Sequence, residues 1–184
     1  MATANTRRKE SKDSIDLYTT PPVAINSLIQ NEMIEGTILE PCCGMGHISK
    51  TLEAYFGEEI VRSIDLYDWG YGETGVDFFK EPDNSVDTII MNPPYNQALD
   101  FTTKALRVAR SKVCSLVRIN FLETESRRKL FDIYPPDKVY AFSKRIKCLK
   151  DGKDDGMSSA VFYCWVVWDI KYRTKIGETK FIWI

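Results

Sequence analysis

Thr37-Ile38-Leu39-Glu40-Pro41-Cys42-Cys43-Gly44-Met45-Gly46-His47 is the stretch on which the fold turns. A short apolar run ends on an acid, a glycine turn follows, and residues 47–56 then carry apolar side chains at 48, 52, 55 and 56, which is helical spacing. The unit is strand, glycine turn, helix. Upstream, Pro21 and Pro22 suit a helix's first turn, and Val23, Ile25, Leu28, Ile29 and Met33 carry an amphipathic pattern that stops near Gly36. Downstream, residues 60–66 and 86–91 read as strands, separated by the glycine-rich DWGYGETG (68–75) and a VDFF run (76–79) where a brief strand ends. A helix over 97–110, a strand over 112–119 and a helix over 123–131 follow. Strands alternating with helices of this length require parallel strands joined by crossovers, hence an open α/β sheet with helices on both faces. The last third differs: VYAFS (139–143), VFYCWVVWDI (161–170) and KFIWI (180–184) are strand-like with no helical pattern between them, which predicts antiparallel pairing at one edge.

With 184 residues, 43% of them apolar and 12% aromatic, the chain supports one core, so residues 16–184 are read as a single domain. Residues 1–15 carry Arg7, Arg8, Lys9 and Lys12 without apolar periodicity and are expected to be a flexible basic tail. No leader-like segment and no window of about 18 consecutive apolar residues occurs, so no membrane contact is expected and the expected compartment is the cytoplasm. Cysteines 42, 43, 114, 148 and 164 form no CxxC pair and mostly fall in apolar runs, the pattern of buried free thiols. With His47 as the sole histidine, no metal site is expected. Net charge is -1, yet residues 16–103 hold 3 Lys/Arg against 15 Asp/Glu and residues 104–150 hold 13 against 4. The basic segment is either a nucleic-acid footprint or a surface that balances the acidic half.

Asn92-Pro93-Pro94-Tyr95 follows the strand 86–91 and precedes a helix, so it lies at a strand's carboxyl end, where open α/β sheets bind ligands. Paired prolines fix two φ angles and remove two donors, leaving a rigid turn whose carbonyls can accept hydrogen bonds. Such a turn suits a planar amino group. If the Asn92 side-chain oxygen and the Pro93 carbonyl each accept one N–H, the nitrogen is drawn toward tetrahedral geometry and its lone pair becomes available. Tyr95 would offer a flat face for an aromatic ring. The Glu40–Gly46 turn lacks both the third glycine of the dinucleotide fingerprint and the lysine of a phosphate loop, which disfavours phosphate cradling. Gly44 and Gly46 let backbone approach a ligand, and Asp65, closing the next strand, is placed to accept from two ribose hydroxyls.

Taken in order, ILEPCCGMGHISK (38–50), Asp65, VDFF and MNPPYNQALDFTTKAL (91–106) resemble the cofactor and catalytic motifs of amino-methyltransferases of the S-adenosylmethionine (SAM)-dependent class I fold. RINFLETESRRKLF (118–131), VYAFSKR (139–145) and YCWVVWD (163–169) are similar to small phage and prophage DNA N6-adenine methyltransferases, and the resemblance spans roughly 16–170. It implies a Rossmann-like, mostly parallel seven-stranded sheet with a C-terminal antiparallel hairpin. The implied cofactor is S-adenosyl-L-methionine, held by Tyr18, Thr20, Glu40, Pro41, Cys42, Gly44, Gly46, Asp65, Leu66, Asp77 and Phe78, with Glu40 at the methionine end and Asp77 and Phe78 at the adenine. Asn92, Pro93, Pro94 and Tyr95 are the implied catalytic set, acting on adenine N6 in DNA. Arg127, Arg128, Lys129, Lys144 and Arg145 are the expected phosphate contacts.

The chain departs from that pattern in two places. No separate target-recognition domain is visible, so a homodimer or a partner subunit is expected to supply recognition. Residues 146–159 contain no aromatic residue to cover the second face of the target base, leaving Phe142 and Trp165 as candidates. The same amino-group chemistry serves RNA bases and protein glutamines, and a non-catalytic nucleic-acid-binding partner subunit that keeps the fold is a further alternative.

Overall fold

In the structure, a computed structural model that describes residues 17–154, 156 and 161–184, the decisive stretch folds as β2 (Ile38–Glu40), a glycine turn and α2 (His47–Phe56). The tail at residues 1–15 lies outside the described residues. Before β2 come β1 (Tyr18–Thr19) and α1 (Pro22–Asn31); after α2 come β3 (Val61–Asp65), β4 (Glu73–Thr74), β5 (Val86–Met91), α3 (Ala98–Val108) and β6 (Ala109–Arg118). The chain continues through α4 (Glu125–Ile133), β7 (Lys138–Ala141), β8 (Leu149–Lys150), β9 (Tyr163–Asp169) and β10 (Lys180–Trp183). Eight strands form one sheet in the order β10-β7-β9-β6-β5-β2-β3-β4, while β1 and β8 pair separately. All neighbours in the large sheet are parallel except β9, which runs antiparallel to both β6 and β7. The carboxyl ends of β2, β3, β5, β6 and β7 therefore share one sheet edge.

Helices cover both faces. Ile25 and Leu28 of α1 and Ile48 and Leu52 of α2 pack with Ile90, Leu116, Trp165 and Val167. On the opposite face, Ala105 and Leu106 of α3 and Leu130 of α4 pack with Ile89, Val113, Val166 and Trp168. β9 thus sends alternate residues to opposite layers, and its unbroken apolar run is what a strand buried on both faces requires.

Four local readings change. The helix α1 ends at Asn31 rather than near Gly36, because Glu32 turns into extended backbone and buries its carboxylate among Lys112 Nζ (2.5 Å), Lys138 Nζ (2.6 Å) and the Tyr140 hydroxyl (2.7 Å). VDFF is a turn leading into a single 3-10 turn at Phe78–Lys80, and the brief strand is Glu73–Thr74. β7 and β9 are antiparallel as expected, but β10 adds an eighth strand: it reverses direction relative to β9, steps past β7 to the edge, and so pairs with β7 in parallel. Trp165 is fully buried with its Nε1 donating to the Ala24 carbonyl (3.0 Å), and Phe142 is buried in the same layer, so neither is available to stack on a base.

The charge asymmetry is in part internal. Lys104 and Arg107 bind Asp83, Arg110 binds Asp87, and Lys112 and Lys138 bind Glu32. Five of the basic segment's 13 Lys/Arg thus tie α3, β6 and β7 to acids of the first half. Among the described residues no helix is long and apolar enough to cross a membrane, and no cluster of three or more His, Cys, Asp or Glu side chains could hold a metal ion.

Candidate active site

The crossover leaving β2 through α2 goes to β3 on one side, and the crossover leaving β5 through α3 goes to β6 on the other. β2 and β5 are adjacent, so the sheet's switch point lies between them and their two turns diverge to open a crevice. That crevice is a cavity of about 500 Å³, a size ordinary for a small-molecule site. Cys42 Sγ, at 3.5 Å from the Asn92 carbonyl, joins the two turns at the cavity floor. Burial holds this thiol well above its usual range, so it acts as a donor rather than a thiolate.

Of the residues expected at the cofactor, Tyr18, Thr20, Glu40, Pro41, Cys42, Gly44, Asp65, Leu66, Asp77 and Phe78 all line the cavity. Gly46 does not. It has φ 77° at the start of α2, and a Cβ there would lie 2.3 Å from the Tyr71 ring, so this glycine serves turn geometry and packing rather than ligand approach. Asp65 is buried and receives Gly44 N–H on Oδ2 (2.9 Å) and Tyr67 N–H on Oδ1 (2.8 Å). Its pKa is raised by burial, which these backbone donors only partly offset. Asp77 Oδ1 accepts Phe79 N–H (3.0 Å), and Phe78 is buried against Phe101 with ring centroids 5.5 Å apart.

Glu40 sits at the carboxyl end of β2 with 2% exposure and accepts both the backbone N–H (2.8 Å) and the hydroxyl of Ser49, which in turn accepts from Ser63 (2.5 Å). Burial dominates and raises its pKa to about 8 against 4.5, the Ser49 donors pulling the other way. The sign follows directly. Below about 4.5 both folded and unfolded chains are protonated there; between that value and about 8 only the unfolded chain has ionised. This site therefore destabilises the ligand-free fold progressively as pH rises through that window, by up to about 1.4 kcal/mol per pH unit, and levels off above it. Urea unfolding of wild type and Glu40→Gln across neutral pH checks this: the stability of wild type relative to the variant should fall as pH rises through the window and level off above it, and a pH-independent difference would contradict the assignment.

Asn92 also lines the cavity. Its Nδ2 donates to Thr20 Oγ1 (3.0 Å) and lies 3.4 Å from the Tyr18 carbonyl, which fixes the amide orientation. Its Oδ1 is buried and has no partner among the described residues. Pro94 lines the cavity, and its carbonyl is taken by Gln97 N–H (2.9 Å); Pro93 is not among the lining residues. Tyr95 stands outside the lining as well. Its hydroxyl is 2.6 Å from that of Tyr163, its ring centroid is 4.7 Å from that of Tyr18, and the Arg118 guanidinium lies 3.7 Å over it. The open aromatic face expected of Tyr95 is therefore covered.

The sequence reading missed Tyr67, Trp69, Asn96, Gln97 and Asp100, all of which line the cavity. Tyr67 and Trp69 follow Asp65 at the entry to the glycine-rich loop, and that aromatic pair was the available signal. His47 lines the cavity too; its Nδ1 is buried with no partner among the described residues, and burial, then Lys50, lowers its pKa. Asp65, Asp77 and Asp100 border the cavity, beside a Glu40 that burial keeps protonated in the ligand-free fold, while no lysine or arginine among the described residues does. Such a wall disfavours phosphates and fits a ligand bearing positive charge and hydroxyls.

The expected phosphate contacts divide into two groups along the same sheet edge. On α4, Arg127 donates to the Asn120 carbonyl (3.0 Å) and covers the Phe121 ring, Arg128 pairs with Asp132 (2.7 Å), and Lys129 is 3.9 Å from Glu125. Lys144 and Arg145 are exposed beyond the end of β7. Exposed pairs of this kind are weak and exchange readily for a phosphate.

No family model matches the chain, and no curated protein matches it in sequence. Solved structures do match in fold. An RNA methyltransferase assigned in Pyrococcus horikoshii superposes with a TM-score of 0.63 at 16% identity, over 88% of this chain and 90% of that one. A type I restriction enzyme modification subunit assigned in Vibrio vulnificus gives 0.61 at 13% identity over 95% of this chain, and the M protein of the type I restriction enzyme EcoKI gives 0.58 at 11% over 91%. This chain spans about half, 48%, of each of those two subunits. The architecture is the Rossmann-like fold of class I methyltransferases, extended by β10 at one edge.

Proposed function

We propose that the chain transfers the methyl group of SAM to the exocyclic N6 amino group of adenine in DNA. The observation that carries this reading is the Asn92 Oδ1 atom: a buried acceptor without a partner, held in orientation by Thr20 and bordering a cavity suited to a cationic, hydroxyl-bearing ligand. Leaving such an atom unsatisfied is costly, and a target N–H would relieve it. Because the Pro94 carbonyl is engaged by Gln97, the Pro93 carbonyl is the one left to take the second hydrogen of the amino group. SAM bound in the cavity supplies a methyl group made electrophilic by its sulfonium. Asp65 would receive the ribose hydroxyls, Glu40 would order the methionine amino group, and the ring of the cofactor would lie toward Asp77 and Phe78. Asn92 and Pro93 would hold the target nitrogen with its lone pair aimed at the methyl group.

The names of the three neighbours described above support a nucleic-acid acceptor, while two others are named for an O-methyltransferase and for echinomycin biosynthesis. RNA is the second reading, favoured by the Pyrococcus neighbour, whose chain is matched over nearly its full length. Thr20 gives this account a graded test. Thr20→Val keeps the buried shape but removes the acceptor for Asn92 Nδ2, so methyl transfer at saturating SAM should slow about five- to tenfold, the value of one hydrogen bond. An unaltered rate would mean that Asn92 needs no such orientation. The function itself is tested by incubating the protein with methyl-tritiated SAM and unmethylated duplex DNA, single-stranded DNA or RNA. Label in nucleic acid is the expected outcome, and label confined to protein would favour the glutamine reading instead.

A further inference from the structure

Arg118 closes β6 at the same edge as Glu40, Asp65 and Asn92, and nothing in the function so far uses it. Its guanidinium lies 3.7 Å from the Tyr95 ring centroid and 5.7 Å from that of Tyr18, the height at which a flat ring would stack on Tyr95. Its Nε is buried with no hydrogen-bond partner among the described residues, while the rest of the guanidinium meets the side chains of Tyr95 and Tyr163. Lys104, Arg107, Arg110, Lys112 and Lys138 of the same basic segment each bind a carboxylate, whereas among the described residues no carboxylate pairs with Arg118. A cation held by an aromatic face, with a donor left unused, is poised to move to an anion.

We propose that Arg118 is a gate for the class of acceptor: it covers the Tyr95 face on which the planar target must stack, and it yields that face when a phosphate beside the target takes the guanidinium. This rests on the methyl-transfer reading and adds to it. A free nucleoside offers a ring but no anion, so displacing Arg118 leaves a half-buried cation unpaired. A nucleotide within a strand offers both, and the exchange is close to balanced. Arg118 then acts as a specificity residue that reads the phosphate next to the target base.

The test compares methyl transfer from SAM to deoxyadenosine and to a short deoxyadenosine-containing oligonucleotide, using wild type, Arg118→Ala and Arg118→Gln. The Gln variant keeps a planar hydrogen-bonding group if Ala fails to fold, and an unchanged SAM affinity identifies a folded variant, since Arg118 does not line the cofactor cavity. Wild type should strongly prefer the oligonucleotide. In either variant kcat/KM should rise about tenfold for the nucleoside and fall about tenfold for the oligonucleotide, the latter through KM, for loss of one charge-assisted contact. Equal changes for both acceptors, or no change, would overturn the gate while leaving the methyl-transfer reading intact. If wild type labels neither acceptor nor any other nucleic acid, the proposed function falls and the gate falls with it.

Discussion

Asn92→Ala is expected to lower the rate of methyl transfer about a hundredfold or more while SAM affinity stays within about twofold, the pattern of a lost transition-state acceptor. The amino nitrogen gains positive charge as the methyl group arrives, so an oxygen accepting its N–H is worth more in the transition state than in the ground state. Asn92 Oδ1 is a buried acceptor at the cavity with no partner among the described residues, and its geometry is set in advance by Thr20 and the Tyr18 carbonyl. No reorganisation is then needed at the moment of reaction. Asn92→Asp keeps an acceptor oxygen, and the Thr20 hydroxyl can reverse to donate to the second one, so this variant should retain much more of the rate than Ala. Single-turnover transfer with calorimetric SAM titration on both variants checks the claim. An Ala variant with wild-type transfer would remove the Asn92–Tyr95 turn from the chemistry.

Asp65→Ala should weaken SAM binding by about 1 to 3 kcal/mol, roughly five- to 150-fold, the cost of removing a buried charged acceptor from its donors. Two effects act together. The ribose hydroxyls would lose their acceptor, and the backbone N–H groups of Gly44 and Tyr67, now held by the two carboxylate oxygens, would be released, loosening the glycine turn against β3. Asp65→Asn separates these effects, because its remaining oxygen can satisfy only one of the two backbone donors while its NH2 faces the other. It should therefore lose both stability and affinity, and Ala should lose more affinity. Thermal unfolding alongside calorimetric titration distinguishes the two contributions, and a folded Ala variant with unchanged affinity would place the ribose elsewhere.

The parts of this arrangement that were legible in sequence are those written in local pattern. The strand, glycine turn and helix around Glu40–Gly46, the strand 86–91 and the proline turn after it carry their signals within a dozen residues, and the structure brings these turns to one cavity. What was not legible depends on partners distant in the chain. α1 stops early because Glu32 is claimed by Lys112 and Lys138, about eighty and a hundred residues away. Nothing in KFIWI announces that it will step past β7 and pair in parallel. Phe142 and Trp165 were candidates only because residues 146–159 hold no aromatic residue, yet both pack into the α1–α2 layer, Trp165 through the alternation of β9. Arg118 was one basic residue among many in sequence, and only proximity to Tyr95 separates it from the others.

The central claim is that this cavity and the Asn92 turn direct a methyl group onto an exocyclic amino nitrogen. The most direct measurement is to digest duplex DNA labelled by the protein with methyl-tritiated SAM to nucleosides and to separate the products by chromatography. The account predicts that the tritium elutes with N6-methyldeoxyadenosine and that Asn92→Ala abolishes that peak. Tritium on a ring carbon, on a sugar or phosphate oxygen, or on the protein alone would contradict it.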